Sequence, residues 1–298
     1  MKIHAAALLG ATALLAAPAL AGELDPNLVN EMQQKGEGEI VSALFYMNDQ
    51  LDATAMVNEL NRNQVRLASR HNTVVETLRD MADVTQRDFL NAVDAFGRDA
   101  GVDVVRPYWI TNAVRVDAPA DVIMALAARD DVDIAYLNYP IETIEPTAME
   151  PADENRGNRA PEPGVAAVRA PEVWADFGIT GEGVLVSTLD TGVDGNHPAL
   201  ASRWAGLDPE YQGNPEWAFF DPVTNWTFPQ DAGSHGTHTM GSVLGGAPGD
   251  EIGVAPGAKW IHAAVIDRVS IQQTVADALA AFEWTVDPDG NPNTHWDV

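Results

Sequence analysis

The chain has 298 residues, a formal net charge of −27 and no cysteine. That length suits roughly two domains, and a hydrophobic fraction of 46% with 8 tryptophans marks packed cores rather than disorder. The excess of acid repels nucleic-acid phosphates and anionic lipid surfaces, and the missing thiol excludes disulfides and thiolate metal sites.

Residues 1–21 (MKIHAAALLGATALLAAPALA) carry a basic Lys2, a short apolar stretch and Ala19-Leu20-Ala21 before Gly22. This is the layout of an export signal cleaved after Ala21. The stretch is too short and wrongly flanked for a membrane anchor, so the mature protein is expected to be secreted, and an exported chain without cysteine favours a bacterial source.

Residues 22–141 read as a small α+β unit. Residues 39–46 (EIVSALFY) are a strand candidate, and residues 52–101 are helical in pattern, with Met56, Leu60, Val74, Leu78, Met81 and Val93 among the recurring apolar positions. Residues 103–108 and 110–116 suggest a hairpin, 118–129 an amphipathic helix and 132–137 a last strand. The order β-α-β-β-α-β is a ferredoxin-like split βαβ sandwich whose first helical segment is expanded. Residues 142–164 (ETIEPTAMEPADENRGNRAPEPG) have no apolar period and read as an exposed linker, open to proteolysis.

From residue 165 the pattern alternates between strands and helices, which implies a parallel sheet. A helix is expected over 170–177, a strand over 183–189, a long loop over 190–234, a helix over 235–244, a strand over 259–266 and a helix over 270–285. Five of the seven residues 183–189 are Val, Leu or Thr between glycines, the pattern of a strand buried on both faces. The run ends in Asp190-Thr191-Gly192. A carboxylate at the C-terminal edge of such a strand sits where open α/β sheets place their chemistry; a simple turn is the competing reading.

Residues 233–246 (GSHGTHTMGSVLGG) form a helix start unusually rich in glycine, which suggests close approach by another backbone. His235 is suited to shuttling protons near neutral pH, and a buried carboxylate such as Asp190 would fix its tautomer. Two rival chemistries are weaker. Apolar-Asp-Thr-Gly also marks aspartic proteases, but the only partner candidate, Asp231-Ala232-Gly233, lacks the preceding apolar strand. The pair His235 and His238 lacks the four-residue spacing and the glutamate of a helical zinc motif, so His238 is read as structural.

Together these motifs resemble the subtilisin-like serine proteases, peptidase family S8. LDTGVDGNHPAL (189–200) resembles that family's aspartate motif, SHGTHTMGSVLG (234–245) its histidine motif, and GVAPGAKW (253–260) the entry to the next strand. The spacing of 45 residues from Asp190 to His235, with the insert EWAFFDPVTNW, is most like the bacillopeptidase F group. PYWITNAVRV (107–116) is similar to the hairpin of the family's inhibitory propeptide.

The resemblance implies a three-layer subtilisin-like domain over 165–298, incomplete, behind a propeptide-like domain over 22–141. It implies a secreted serine endopeptidase zymogen acting on protein or peptide substrates and bound by its own propeptide, whose C-terminal tail around 137–143 would plug the cleft. Asp190 would orient His235, and His235 would act as general base toward a serine; His197 matches a non-catalytic His-Pro pair. No cofactor is implied for the chemistry. A structural calcium ion is left open without a located site, since Ala199 stands where the family often carries a calcium-binding aspartate.

By the same resemblance, the oxyanion asparagine and the nucleophilic serine fall beyond Val298. Of the two serines after His235, Ser242 is expected to pack within the helix and Ser270 to cap one. The alternative reading is a catalytically inactive truncated product whose first domain binds or inhibits a related protease.

Overall fold

The protein is seen in a computed structural model, which describes residues 22–142, 161–224, 226–247, 250–266 and 272–292. The expected export signal, most of the expected linker and Ser270 lie outside the described residues.

The first unit opens with two elements that the apolar periodicity did not suggest. Strand β1 (Glu23–Leu24) is followed by helix α1 (Pro26–Gln34). Asp25 caps this helix by accepting from the Asn27 N–H at 3.1 Å, with proline at the first helical position. Strand β2 (Ile40–Met47) follows, and the expected helical stretch resolves into α2 (Ala53–Arg62), α3 (Leu67–Thr85) and α4 (Arg87–Phe96). Hairpin strands β3 (Val104–Tyr108) and β4 (Ala113–Pro119), helix α5 (Ala120–Ala127) and strand β5 (Val132–Leu137) complete the unit.

The sheet order is β1-β5-β2-β4-β3. β1 joins β5 in parallel and every other pairing is antiparallel. Alternation along β2 directs Val41, Ala43, Phe45 and Met47 into a core with Phe89 and Val93 of α4 and Ile123 and Leu126 of α5. Each such large side chain, fully buried, contributes about 1.5–3 kcal/mol. Leu44 and Tyr46 point to the other face, which would be solvated in a free two-layer sandwich.

The second part begins with helices α6 (Pro163–Ala167), which starts inside the expected linker, and α7 (Ala170–Phe177). Strand β6 (Leu185–Asp190) leads into a long segment of short 3₁₀ turns and the two-residue strand β7 (Phe219–Phe220). Helix α8 (His235–Leu244), the small ladder of β8 (Gly246–Ala247) and β9 (Asp250–Glu251), strand β10 (Lys259–Ala264) and helix α9 (Val275–Val286) follow. The parallel sheet has the order β6-β10-β7 among the described residues.

The central strand β10 is the buried one, with Trp260 and Ile261 fully enclosed. The 183–189 stretch corrects one expectation: residues 185–189 are only half-buried, because β6 is an edge strand here. Helix α9 starts at Val275 rather than 270, fixed by a capping box in which Thr274 and Asp277 satisfy each other's backbone N–H groups. Its Ala281 and Trp284 pack in the second core beside Trp260, while Ala276, Leu279 and Ala280 meet Leu44 and Tyr108 of the first sheet. Small residues along α9 let the two units approach closely, so the open face of the first sheet is covered by the second unit.

Candidate active site

The register of β6 against β10 ends at the pair Asp190 and Ala264. Beyond it the chain turns, and the Asp190 carbonyl accepts from the N–H groups of Val265 at 2.9 Å and Ile266 at 3.2 Å. The Asp190 backbone is thereby fixed at the C-terminal edge of the sheet, with its side chain carried past the last rung. Gly192 then takes φ +131°, where a side chain would be strained, and a Cβ there would lie 2.1 Å from the Gln230 carbonyl oxygen. The tight turn returns the chain beside the start of α8.

His235 is the first residue of α8. Its Nδ1 lies 2.7 Å from Asp190 Oδ1, with the aspartate side chain 10% exposed and the histidine side chain 38% exposed. Asp190 also accepts from the Thr191 N–H at 2.7 Å and from the Thr239 hydroxyl at 3.0 Å. A carboxylate that already takes two donors acts as acceptor toward the imidazole, so Nδ1 carries the proton and Nε2 is the basic nitrogen. Gly236 explains the glycine-rich helix start: a Cβ there would sit 2.0 Å from the Gly192 carbonyl oxygen and 3.1 Å from Asp190 Cβ.

Three residues of this framework were not assigned a role from sequence. Thr239 holds the second oxygen of Asp190. Thr191 accepts from the Gly236 N–H at 2.9 Å through its hydroxyl, which donates in turn to Asp231 Oδ1 at 2.8 Å. Asp231 also accepts from the Gly233 N–H (3.0 Å), the Thr237 N–H (2.9 Å) and the Thr237 hydroxyl (2.6 Å). Two N–H groups of the first turn of α8 are therefore capped by remote side chains, and Asp231 ties the aspartate loop to the histidine helix. The signal lay in a carboxylate a few residues ahead of a helix start. Asp190 and Asp231 are engaged by separate donors, which does not suit a proton-sharing carboxylate pair.

The remaining sequence candidates sit apart. His238 is exposed rather than packed within the protein. Ser242 is likewise exposed, donating to the His238 carbonyl at 3.2 Å, so it turns back on its own helix instead of packing inside. His197 stays within a local turn, its Nδ1 accepting from the Ala199 N–H at 3.3 Å. The Ala199 carbonyl accepts from the Gly246 N–H at 3.1 Å and from the Arg203 guanidinium at 2.6 Å. Among the described residues no cluster of three or more His, Asp or Glu side chains is placed to hold a metal ion. A cleft of about 1100 Å³ adjoins α8, lined in part by Asn196, His197, Ser234 and His238, and does not include the Asp190–His235 pair.

An aspartate on the last residue of a parallel strand, bonded to Nδ1 of a histidine that opens the adjoining helix, has the geometry of the Asp–His pair in a Ser-His-Asp hydrolase. Residues 181–295 match the model of the subtilase family of S8 peptidases. The chain is 32% identical over 235 residues to bacillopeptidase F of Bacillus subtilis, covering 75% of this chain and 16% of that protein. It is 32% identical over 177 residues to fervidolysin of Fervidobacterium pennivorans, covering 52% of this chain and 24% of the relative. It is 33% identical over 153 residues to the minor extracellular protease Vpr of Bacillus subtilis, covering 47% and 17%. The chain belongs to the subtilase family of serine peptidases. It spans between 16% and 24% of the length of these three relatives.

Proposed function

We propose that the chain is the propeptide and leading catalytic segment of an exported serine endopeptidase, with Asp190 and His235 as two members of its triad. The observation that carries this reading is the 2.7 Å bond between His235 Nδ1 and Asp190 at the C-terminal edge of a parallel sheet, within residues matched to a serine peptidase family. His235 Nε2 takes the proton of a serine hydroxyl as its oxygen attacks the peptide carbonyl, and Asp190 stabilises the imidazolium that forms. The same proton passes to the leaving amine as the C–N bond breaks, and water then cleaves the acyl-enzyme with His235 again as base. Preorganised donors stabilise the oxyanion. Neither the serine nor those donors is assigned to any of the 298 residues. The chemistry draws on protein groups, and protein or peptide chains are the substrates.

We read residues 22–141 as the inhibitory propeptide, 142–164 as the maturation linker and 165 onward as the catalytic unit. Three contacts support this reading. The first sheet packs on α9, the Asn138 side chain accepts from the Ala276 N–H at 3.0 Å, and residues 139–141 run antiparallel to 273–275. In that pairing the Ile141 N–H donates to the Gln273 carbonyl at 2.8 Å and the Val275 N–H to the Tyr139 carbonyl at 2.9 Å. An inhibitory tail laid as a strand against the enzyme uses backbone bonds in this way. Export follows from the N-terminal signal pattern and fits a relative named extracellular; among the described residues no helix is long and apolar enough to cross a membrane.

A second reading has one observation in its favour. None of the docking contacts above involves Asp190 or His235, so the first unit could hold a related protease without a nucleophile of its own. Reading the coding DNA past codon 298 and expressing the whole frame separates the two. Our reading expects peptidase activity that His235→Ala abolishes and that Asp190→Asn lowers by about four orders of magnitude with folding intact, as in serine-protease triads. A stop codon at 299, or activity indifferent to both changes, would overturn it.

A further inference from the structure

A ferredoxin-like split βαβ unit needs one helix between its first two long strands, and this chain has three. The longest, α3, runs 19 residues, yet among its described side chains the buried apolar ones are Val75 and Ala82 alone. Core packing of the first unit therefore does not account for its length. What α3 does is carry Arg79 across to the second unit.

Arg79 reaches the segment that follows α9. Its guanidinium pairs with the carboxylate of Asp287, whose side chain is 1% exposed. It lies over the Trp109 ring at 4.9 Å from the centroid, and Nη1 donates to the Gly290 carbonyl at 3.4 Å. Burial holds the Asp287 carboxyl above its ordinary range, Asp289 adds to the effect, and Arg79 is the cation that opposes it. A buried carboxylate is costly without its counter-charge. The Trp109 ring restrains the guanidinium, so little freedom is lost on pairing.

Among the described residues, the other hydrogen bonds across the docking face each use backbone on at least one side. Glu283 accepts from the N–H groups of Trp109 at 2.5 Å and Ile110 at 3.3 Å; Asn138 binds the Ala276 N–H, and residues 139–141 pair through main chain. Backbone partners tolerate changes of side chain, so the Ala276 N–H and the main-chain pairing of 139–141 discriminate weakly between related catalytic units, whereas Glu283 is a side chain of that unit held only by backbone donors. Among the described residues Arg79–Asp287 is the ion pair in direct contact across this face, with Arg106 and Arg115 acting on Glu283 and Asp277 only at longer range, and it is read only where an acid follows the α9 helix.

We propose that α3 is a recognition arm through which Arg79 selects a catalytic unit bearing a buried acid at the position of Asp287. This rests on the reading of the first unit as a docked propeptide. It gives the expanded helix a function: matching the first unit to its own enzyme rather than to subtilases in general.

The test is amide hydrogen exchange on the intact 298-residue chain. Val275 and Ala276 open α9, where N–H groups have no partner within the helix, so their protection reports docking directly. Arg79→Glu and Asp287→Arg should each raise exchange at these amides by about tenfold or more. The double swap should return it to within about threefold of the wild type. The amides of β10 serve as the control for folding, and Arg79→Met, which keeps the apolar stem, replaces the reversal if that control fails. Unchanged exchange in the single variants, or a double swap no better than either, would overturn the proposal. Unprotected Val275 and Ala276 amides in the wild type would instead refute the docked-propeptide reading itself.

Discussion

Asp231→Ala removes the link between the aspartate loop and the histidine helix. Four donors lose their acceptor: the Thr191 hydroxyl, the Gly233 N–H, and the N–H and hydroxyl of Thr237. Bonds to a charged group are each worth about 1.5–3 kcal/mol when buried; Asp231 is half-buried, so about 1 kcal/mol apiece is the better figure. Because the four act as a unit, a total near 3 kcal/mol is expected rather than a strict sum. For a unit of this size that corresponds to a fall of about 6–12 °C in Tm. Asp231→Asn keeps one acceptor oxygen and should lose about half as much. Thermal unfolding followed by near-ultraviolet circular dichroism reads the second core through Trp204, Trp260 and Trp284. A loss below about 1 kcal/mol in the alanine variant, or equal losses in both variants, would refute the assignment of Asp231 as a tie between the two motifs.

Two further outcomes follow from named contacts. Gly236→Ala would place a Cβ 2.0 Å from the Gly192 carbonyl oxygen, so it should destabilise the second unit by about 1–3 kcal/mol and displace His235 from Asp190; chemical denaturation of an unchanged chain would contradict the close approach. Burial, the largest cause, raises the Glu283 carboxyl above its ordinary 4.5, partly opposed by the Trp109 and Ile110 amides. A carboxyl raised in the folded state binds its proton more readily there, so this residue's contribution to stability is greatest at low pH and is lost as pH rises through the elevated value. Urea midpoints of the wild type should therefore fall relative to those of Glu283→Gln between the ordinary carboxylate range and neutrality, and parallel profiles would contradict this.

Much of this architecture was legible because its signals are local. Short apolar runs gave β2, the β3–β4 hairpin and β5, glycine boundaries gave β6, and the order of the aspartate and histidine motifs brought Asp190 and His235 to one sheet edge. The misses have physical reasons. Helix α1 is short and only Leu28 and Met32 of it are buried, so apolar periodicity was faint, although Asp25-Pro26 was a readable start signal. The break between α3 and α4 carries neither glycine nor proline. It occurs at Gln86, whose side-chain amide turns inward to the Tyr108 carbonyl at 3.0 Å and to Asn112 Oδ1 at 2.9 Å. Such a stop depends on a partner 22 residues away. Thr191 and Thr239 escaped because their partners come from segments that meet only in the folded chain, whereas Asp231 had a local signal in its place just ahead of α8. The half-exposure of β6 reflects its edge position, which composition does not encode.

Under the proposed function, Asp190 fixes the tautomer of His235 so that Nε2 is free to act as general base. Nitrogen-detected NMR of the His235 ring in the intact chain tests it directly, without requiring a nucleophile. The neutral ring should carry its proton on Nδ1, strongly deshielded by the 2.7 Å bond to Asp190, and Asp190→Asn should shift the proton to Nε2. A wild-type ring protonated on Nε2, or spectra unchanged by Asp190→Asn, would contradict the account.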